Sequence, residues 1–245
     1  MEQRFTGEER IGAIVSDFPG ASNLLKEYRI DFCCGGDRSL LEAVRSRKLD
    51  EREVLSRLNA SYEAIRSRAG EPERNWQEEK IATLIDYIVQ RHHGYLRKEL
   101  PLLSGFVTKI LRVHGGGHPE LAAVHKIFHQ MKLELDQHLI EEEETLFPLF
   151  KQYESEPAAE VHVRAVQGLR ELEADHSSVG EYLKAIRMIT NDFKLPPEAC
   201  KTYTLAFRKL EELESDMFEH VHLENNILFP RITSDPSSAS ATPGR

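Results

Sequence analysis

Three cysteines in 245 residues, two of them adjacent at Cys33 and Cys34, are too few to frame a disulfide scaffold. Basic charge is also in short supply. The formal net charge is −9, so no basic surface is left over for a nucleic-acid backbone. No apolar run approaches the ~20 residues that cross a bilayer, so a membrane-spanning helix is excluded and no membrane partner is expected. The start, "MEQRFTGEER", has neither the basic n-region nor the apolar h-region of a secretory signal. A cytoplasmic protein with reduced thiols is the expectation. What the chain does have is a composition of 40% hydrophobic and 30% charged residues, ordinary for a soluble, helix-rich protein. Its length suits one large domain, or a medium domain with a small one.

Residues 1–66 carry short amphipathic pieces, "IGAIVSDFPGASNLLKEYRI" and "SLLEAVRSRKLDEREVLSRLNASYEAIRSR", on either side of "DFCCGGD". They predict a small helical N-terminal domain. Residues 67–76, polar with Gly and Pro, predict a linker. Four long periodic segments follow, at roughly 77–113, 118–153, 158–190 and 197–232. Breaks rich in Gly, Pro or Glu separate them: "HGGGHPE", "YESEPAAE" and "NDFKLPPE". Four long helices with short connections predict an all-α, up-down-up-down bundle over 77–232. The tail, 233–245, has no apolar face to bury and is expected to be disordered.

One motif is written twice. "HLIEEEETLFPLF" begins at His138 and "HVHLENNILFPRI" begins at His220, 82 positions later. Each reads His, three residues, Glu, three residues, Leu-Phe-Pro. Each also has a histidine upstream, His93 and His176, and these two are 83 positions apart. The bundle therefore reads as two helical hairpins, each with a histidine on its first helix and His-x-x-x-Glu on its second. Residues four apart share a helix face, so Glu142 accompanies His138 and Glu224 accompanies His220. The repeat also selects Glu142 over Glu141, whose counterpart is Leu223. Four imidazoles and two carboxylates converging on a core point to a pair of metal ions, with the carboxylates as bridges. The donor types fit iron or manganese. A structural zinc site would take one tetrahedral set, usually with cysteine. The Leu-Phe-Pro endings, with Pro148 and Pro230, are expected to pack below the site and stop the helices.

The remaining histidines fall elsewhere. His125, His129 and His222 turn away from the ligand face, and His92 is a quarter-turn from His93. His118 and His162 lie near segment starts and are expected at the surface. His114 shares the face of His93, but 21 residues of helix place it about 30 Å away. It would reach the metals only if the first segment folded back near Pro101 or Gly105. Glu134 and Asp216 each precede a ligand histidine by one turn, and Asp175 is the neighbour of His176. They read as supports for the ligands or as a solvated face.

These residues identify a resemblance. The four-helix site is similar to hemerythrin-like domains. With "DFCCGG", the "PPEAC" loop and "HxxLENNxLFPR" in order, residues 5–232 resemble the iron–sulfur cluster repair di-iron proteins, the repair of iron centres family. The resemblance implies two iron ions bridged by oxo and carboxylate groups. It implies His93, His138, Glu142, His176, His220 and Glu224 as ligands. It further implies repair of iron–sulfur clusters after nitrosative or oxidative damage, by iron donation rather than by an enzymatic reaction in the strict sense. The implied partners are damaged iron–sulfur proteins, with nitric oxide or oxygen as small-gas ligands; a homodimer is left open. Two alternatives stand beside this: a di-iron nitric oxide reductase, and a sensor that binds oxygen or nitric oxide. Oxygen-carrying hemerythrins have a second histidine four residues after the third-helix ligand, where this chain has Gly180. That departure implies a more open or labile site. Cys33 and Cys34, expected to be exposed on a flexible turn, would pass iron or exchange with a partner; the other reading is a packed helix start with incidental thiols. Cys200 is given no role. Since all six ligands lie beyond residue 70, a chain starting near Glu71 is expected to fold and bind metal unaided.

Overall fold

A computed structural model of the chain describes residues 4–66 and 75–234. The greater part of the expected linker, residues 67–74, and of the expected tail, residues 235–245, lies outside them. Among the described residues there is no strand, only an isolated bridge between Arg10 and Ser39. The protein is all-α.

The helices are α1 (Ile11–Asp17), α2 (Ala21–Glu27), α3 (Leu40–Ser46), α4 (Glu51–Arg66), α5 (Ile81–Ile88), α6 (Gly94–His114), α7 (Glu120–Glu141), α8 (Phe147–Ser155), α9 (Ala159–Ile189), α10 (Lys201–Leu223) and α11 (Phe229–Thr233). Three single π-helical turns join some of them without a break: π1 (Val89–His93), π2 (Glu142–Leu146) and π3 (Glu224–Leu228). The long rods of the bundle are thus α5–π1–α6, α7–π2–α8, α9 and α10–π3–α11. The chain divides into two compact units, Ile81–Met217 and Met1–Lys80 with Phe218–Arg245, so the boundary falls within α10.

In the first unit, α7 packs against α6 and α9, and α8 packs against α5 and α9. The buried residues follow helical spacing, as in Leu96, Leu100, Leu103, Val107 and Ile110 on α6. Their partners on α7 are Leu121, Val124, Phe128, Met131 and Leu135. Gly168 lets α9 approach Leu146 of π2 closely: a Cβ there would stand 2.3 Å from Leu146 Cδ2.

Pro148 and Pro230 do not stop their helices. The amide of Phe147 donates to the Glu142 carbonyl and that of Phe229 to the Glu224 carbonyl, each five residues back. That wide turn resets the helix, and each proline then occupies the first turn of the next one, where its missing N–H costs nothing. Pro101 lies inside α6, which runs on to His114 without folding back.

The second unit gathers α1–α4 around Ile11, Ile14, Phe18, Leu25, Ile30, Phe32, Leu40 and Leu58, with Phe218 packed against this core. The start of α3 is fixed by a capping box, in which Ser39 and Glu42 each bind the other's backbone amide. The loop Asp31–Gly36 is held on π3 and the end of α10. Asn226 Nδ2 donates to the carbonyls of Phe32 and Cys33, and the Phe32 ring meets Phe218 and His222 edge-on at 5.8 Å. Gly12 also lies against Asn226, where a Cβ would stand 2.1 Å from its Oδ1. Gly12→Ala should therefore lower stability by about 1–3 kcal/mol despite the better helix propensity of alanine. In an Asn226→Ala background the same change should cost much less. Chemical denaturation of the four chains checks this, and an equal cost in both backgrounds would contradict the packing.

Candidate metal centre

Glu142 is fully buried and each of its carboxylate oxygens faces a different imidazole. Oε2 lies 3.3 Å from His93 Nε2 and Oε1 lies 3.4 Å from His138 Nε2. His176 Nε2 lies 3.2 Å from His138 Nε2. On the fourth rod, His220 Nε2 is 3.0 Å from Glu224 Oε1, both fully buried. Among the described residues, two sets of four buried side chains could each hold a metal ion, their ligand atoms lying within 4.8 Å of one another. One set is His93, Glu142, His220 and Glu224; the other is His138, Glu142, His176 and Glu224. Both glutamates belong to both sets.

The π-turns position these groups. His93 ends π1, while Glu142 and Glu224 begin π2 and π3. An extra residue in a turn rotates everything after it, so neighbours in sequence acquire new directions. Glu143, next to Glu142, consequently reaches the other side of the same ring: its Oε1 lies 2.6 Å from His93 Nδ1. Arg97 donates to Glu143 at 2.5 Å, and the Phe147 ring stacks on His93 at 5.6 Å. Burial pushes the Glu143 carboxyl up, but its hydrogen bonds to Arg97 and His93 outweigh this and hold it below the usual carboxylate range.

His138 is held in the same manner, with Nδ1 3.2 Å from Asp175 Oδ2. A carboxylate that accepts the Nδ1 proton fixes the tautomer and leaves the Nε2 lone pair directed inward. This is the arrangement a metal-ligating histidine needs. The donors are imidazole nitrogen and carboxylate oxygen, with no thiolate, which suits iron or manganese and fits the group that the sequence implies.

Two expected supports act elsewhere. Glu134 accepts from Tyr182 at 2.7 Å, and Asp216 is paired with His92 Nδ1 at 3.1 Å. The third, Asp175, does act as a support, for His138 on the neighbouring helix rather than for His176 beside it, and the other supporting carboxylate is Glu143, the residue after a ligand. No sequence period marks either.

The other histidines leave the cluster as expected. His125 and His129 meet Thr108 and Ser104 on α6, His118 binds Glu120 and Glu198, and His162 stacks on Tyr153. His114 Nε2 lies 3.3 Å from Cys200 Sγ. His222 is buried beside Phe32, and burial lowers it to about 4.

The Cys33-Cys34 loop differs from the exposed, flexible turn that its glycines suggested. Cys33 is buried. Asp31 Oδ1 accepts from the amides of Cys33, Cys34 and Gly35 at 3.1–3.2 Å, which fixes the turn. The hydrogen bond with Cys34, burial and the Asp31 carboxylate together push the Cys33 thiol well above its ordinary range.

Residues 83–232 match the family model of the hemerythrin HHE cation binding domain. Residues 7–62 match ScdA_N, a domain of unknown function. The iron-sulfur cluster repair protein ScdA of Staphylococcus haemolyticus is 32% identical over 93% of this chain and 99% of its own length. The iron-sulfur cluster repair protein YtfE is 33% identical in Escherichia coli and 36% in Cronobacter sakazakii, each over 91% of this chain and 96% of the relative.

Glu143→Gln and Asp175→Asn should each weaken iron(II) binding about 10–100-fold, the usual cost of losing such a support. Glu134→Gln should leave it unchanged. Metal titration of the metal-free chains decides, and equal losses in all three would remove the assignment.

Proposed function

The chain belongs to the hemerythrin-like iron–sulfur cluster repair proteins, and on that premise we propose that its bundle holds two iron ions and donates iron to damaged iron–sulfur clusters. The observation that carries the reading is the sharing of Glu142 and Glu224 by both four-residue sets. Glu142 and Glu224 would bridge the two ions. His93 and His220 would complete the set around one, His138 and His176 around the other.

Each side chain has a task in holding and releasing this cargo. The imidazoles bind through Nε2 only while neutral, and Glu143 and Asp175 keep His93 and His138 in the required tautomer. Burial excludes water from the carboxylates and strengthens their attraction for a cation. The third-helix position four residues after His176 is Gly180, which offers no ligand, so the set is short of nitrogen. Sulfide and thiolate are softer donors and form the sites that iron–sulfur clusters occupy. Transfer from a nitrogen–oxygen set to a cluster site is favourable on that account. Iron delivered this way replaces what nitrosative or oxidative damage removes. Damaged iron–sulfur enzymes of the cytoplasm are the acceptors in this reading, and among the described residues no helix is long and apolar enough to cross a membrane.

Metal analysis of the purified chain should find two irons per chain. Changing both Glu142 and Glu224 to Leu should abolish binding, because each would hold both ions. His176→Ala alone should leave a partly loaded site. Two irons retained by the double variant would overturn the bridging assignment. The loaded chain should also restore a damaged iron–sulfur enzyme stoichiometrically with the iron it loses; recovery without iron loss would overturn donation.

A further inference from the structure

Far from the metal centre, side chains from three segments gather around the buried ring of Tyr203. His114 comes from the last turn of α6, His118 from the turn before α7 and Glu120 from the start of α7; Glu198 and Cys200 come from the loop that enters α10. The 21 residues of helix between His93 and His114 put about 30 Å between this cluster and the centre. His114 and His118 both stand edge-on to Tyr203, at 5.3 and 5.8 Å between ring centroids. Glu120 and Glu198 hold the two nitrogens of His118, each at 2.9 Å. Cys200 is exposed at the rim, its sulfur 3.3 Å from His114 Nε2.

We propose that Cys200 and His114 form a nucleophilic thiol–imidazole pair that takes up low-molecular-weight disulfides as mixed disulfides. The step balances without another reactant. His114 Nε2 accepts the thiol proton, and the Cys200 sulfur attacks one sulfur of a small disulfide R–S–S–R. The new Cys200–S–S–R bond forms as the old S–S bond breaks. The second R–S leaves with the bonding electron pair and takes the proton from the imidazolium. Cys200 is oxidised and the departing sulfur is reduced.

Two features of the structure favour the thiolate. Cys200 immediately precedes the 23-residue helix α10, where amide groups and the helix dipole stabilise an anion. Hydrogen bonding from the Tyr203 amide first, and then from His114, lowers the thiol to about 7. The Glu198 carboxylate is held below its usual range by its hydrogen bond to His118 first and by His114 as well. Cys33 is the reverse case, buried and pushed upward, so the two sites differ in kind.

Oxidised glutathione is the probe, applied to the full-length parent chain at pH 7, with the adduct located by peptide mass mapping. The adduct is expected first at Cys200. Its rate should rise with pH through a midpoint near 7, the value given for the thiol. His114→Asn should move that midpoint upward by about one unit and slow the reaction at pH 7 about twofold, since a less acidic thiolate is scarcer but more nucleophilic. An adduct forming first at Cys33 or Cys34 would overturn the proposal. So would a His114→Asn profile that superimposes on that of the parent. Mapping on the parent requires no substitution, so the first outcome stands even if a variant misfolds. Neither outcome depends on iron loading.

Discussion

A carboxylate with no exposed surface must be compensated, because burying an isolated one costs at least several kcal/mol. Glu142 turns one oxygen to His93 and the other to His138. Neutral imidazoles do not cancel the charge. They and the carboxylate are, however, the donors that a cation would recruit, and the surrounding structure serves that requirement. His93 and His138 are each fixed from behind by a carboxylate on Nδ1, so that Nε2 is left for the interior. Arg97 holds Glu143 in turn, and Phe147 closes one face of the His93 ring. Positive charge is thereby kept to the outside of the site, where it steadies the supports without entering the ligand set.

The three π-turns are the backbone's contribution to the same requirement. A regular α-helix places residues four apart on one face, which aligns His138 with Glu142 and His220 with Glu224. It cannot also aim Glu143 at His93 from another direction. The wide turn at Glu142–Leu146 does so and opens the i−5 pattern at the point where Pro148 lacks a donor. The same pairing of glutamate and proline recurs at Glu224 and Pro230. Leu-Phe-Pro is thus a feature of the helix that carries the site through, not a terminator.

Much of this was legible in the sequence. Apolar periodicity and the Gly- and Pro-rich breaks located four long rods, and a doubled motif with matched upstream histidines singled out the six residues that the structure gathers into two sets. What could not be read had a common cause, which is that local spacing carries no information about neighbours from other helices. Asp175, legible only as the neighbour of His176, supports His138 across a helix interface, and Glu134, one turn before His138 on the same helix, binds Tyr182 instead. The π-turns change angular register by one residue, and no period signals such a shift. Two glycines after Cys33-Cys34 suggested flexibility, yet Asp31 organises that turn through three amides.

The N-terminal helices acquire a function from one shared turn. Glu224 and Asn226 both belong to π3, five residues long. Asn226 is hydrogen-bonded to the Phe32 and Cys33 carbonyls and pressed between Gly12 and Gly36, where a Cβ would stand 2.1 and 2.6 Å from its Oδ1. Only glycine leaves room for the side chain at both places. The backbone that presents Glu224 is therefore held in shape by residues from the other end of the chain. A chain starting near Glu71 would retain every ligand residue and lose that mould. Its π-turn would then depend on the proline and the local helix alone, with Phe218, His222 and Asn226 stripped of the surfaces that bury them. Residues from α1 and the Asp31–Gly36 loop thus pack on the segment that carries Glu224, a contact between distant parts of the chain that sequence spacing does not announce.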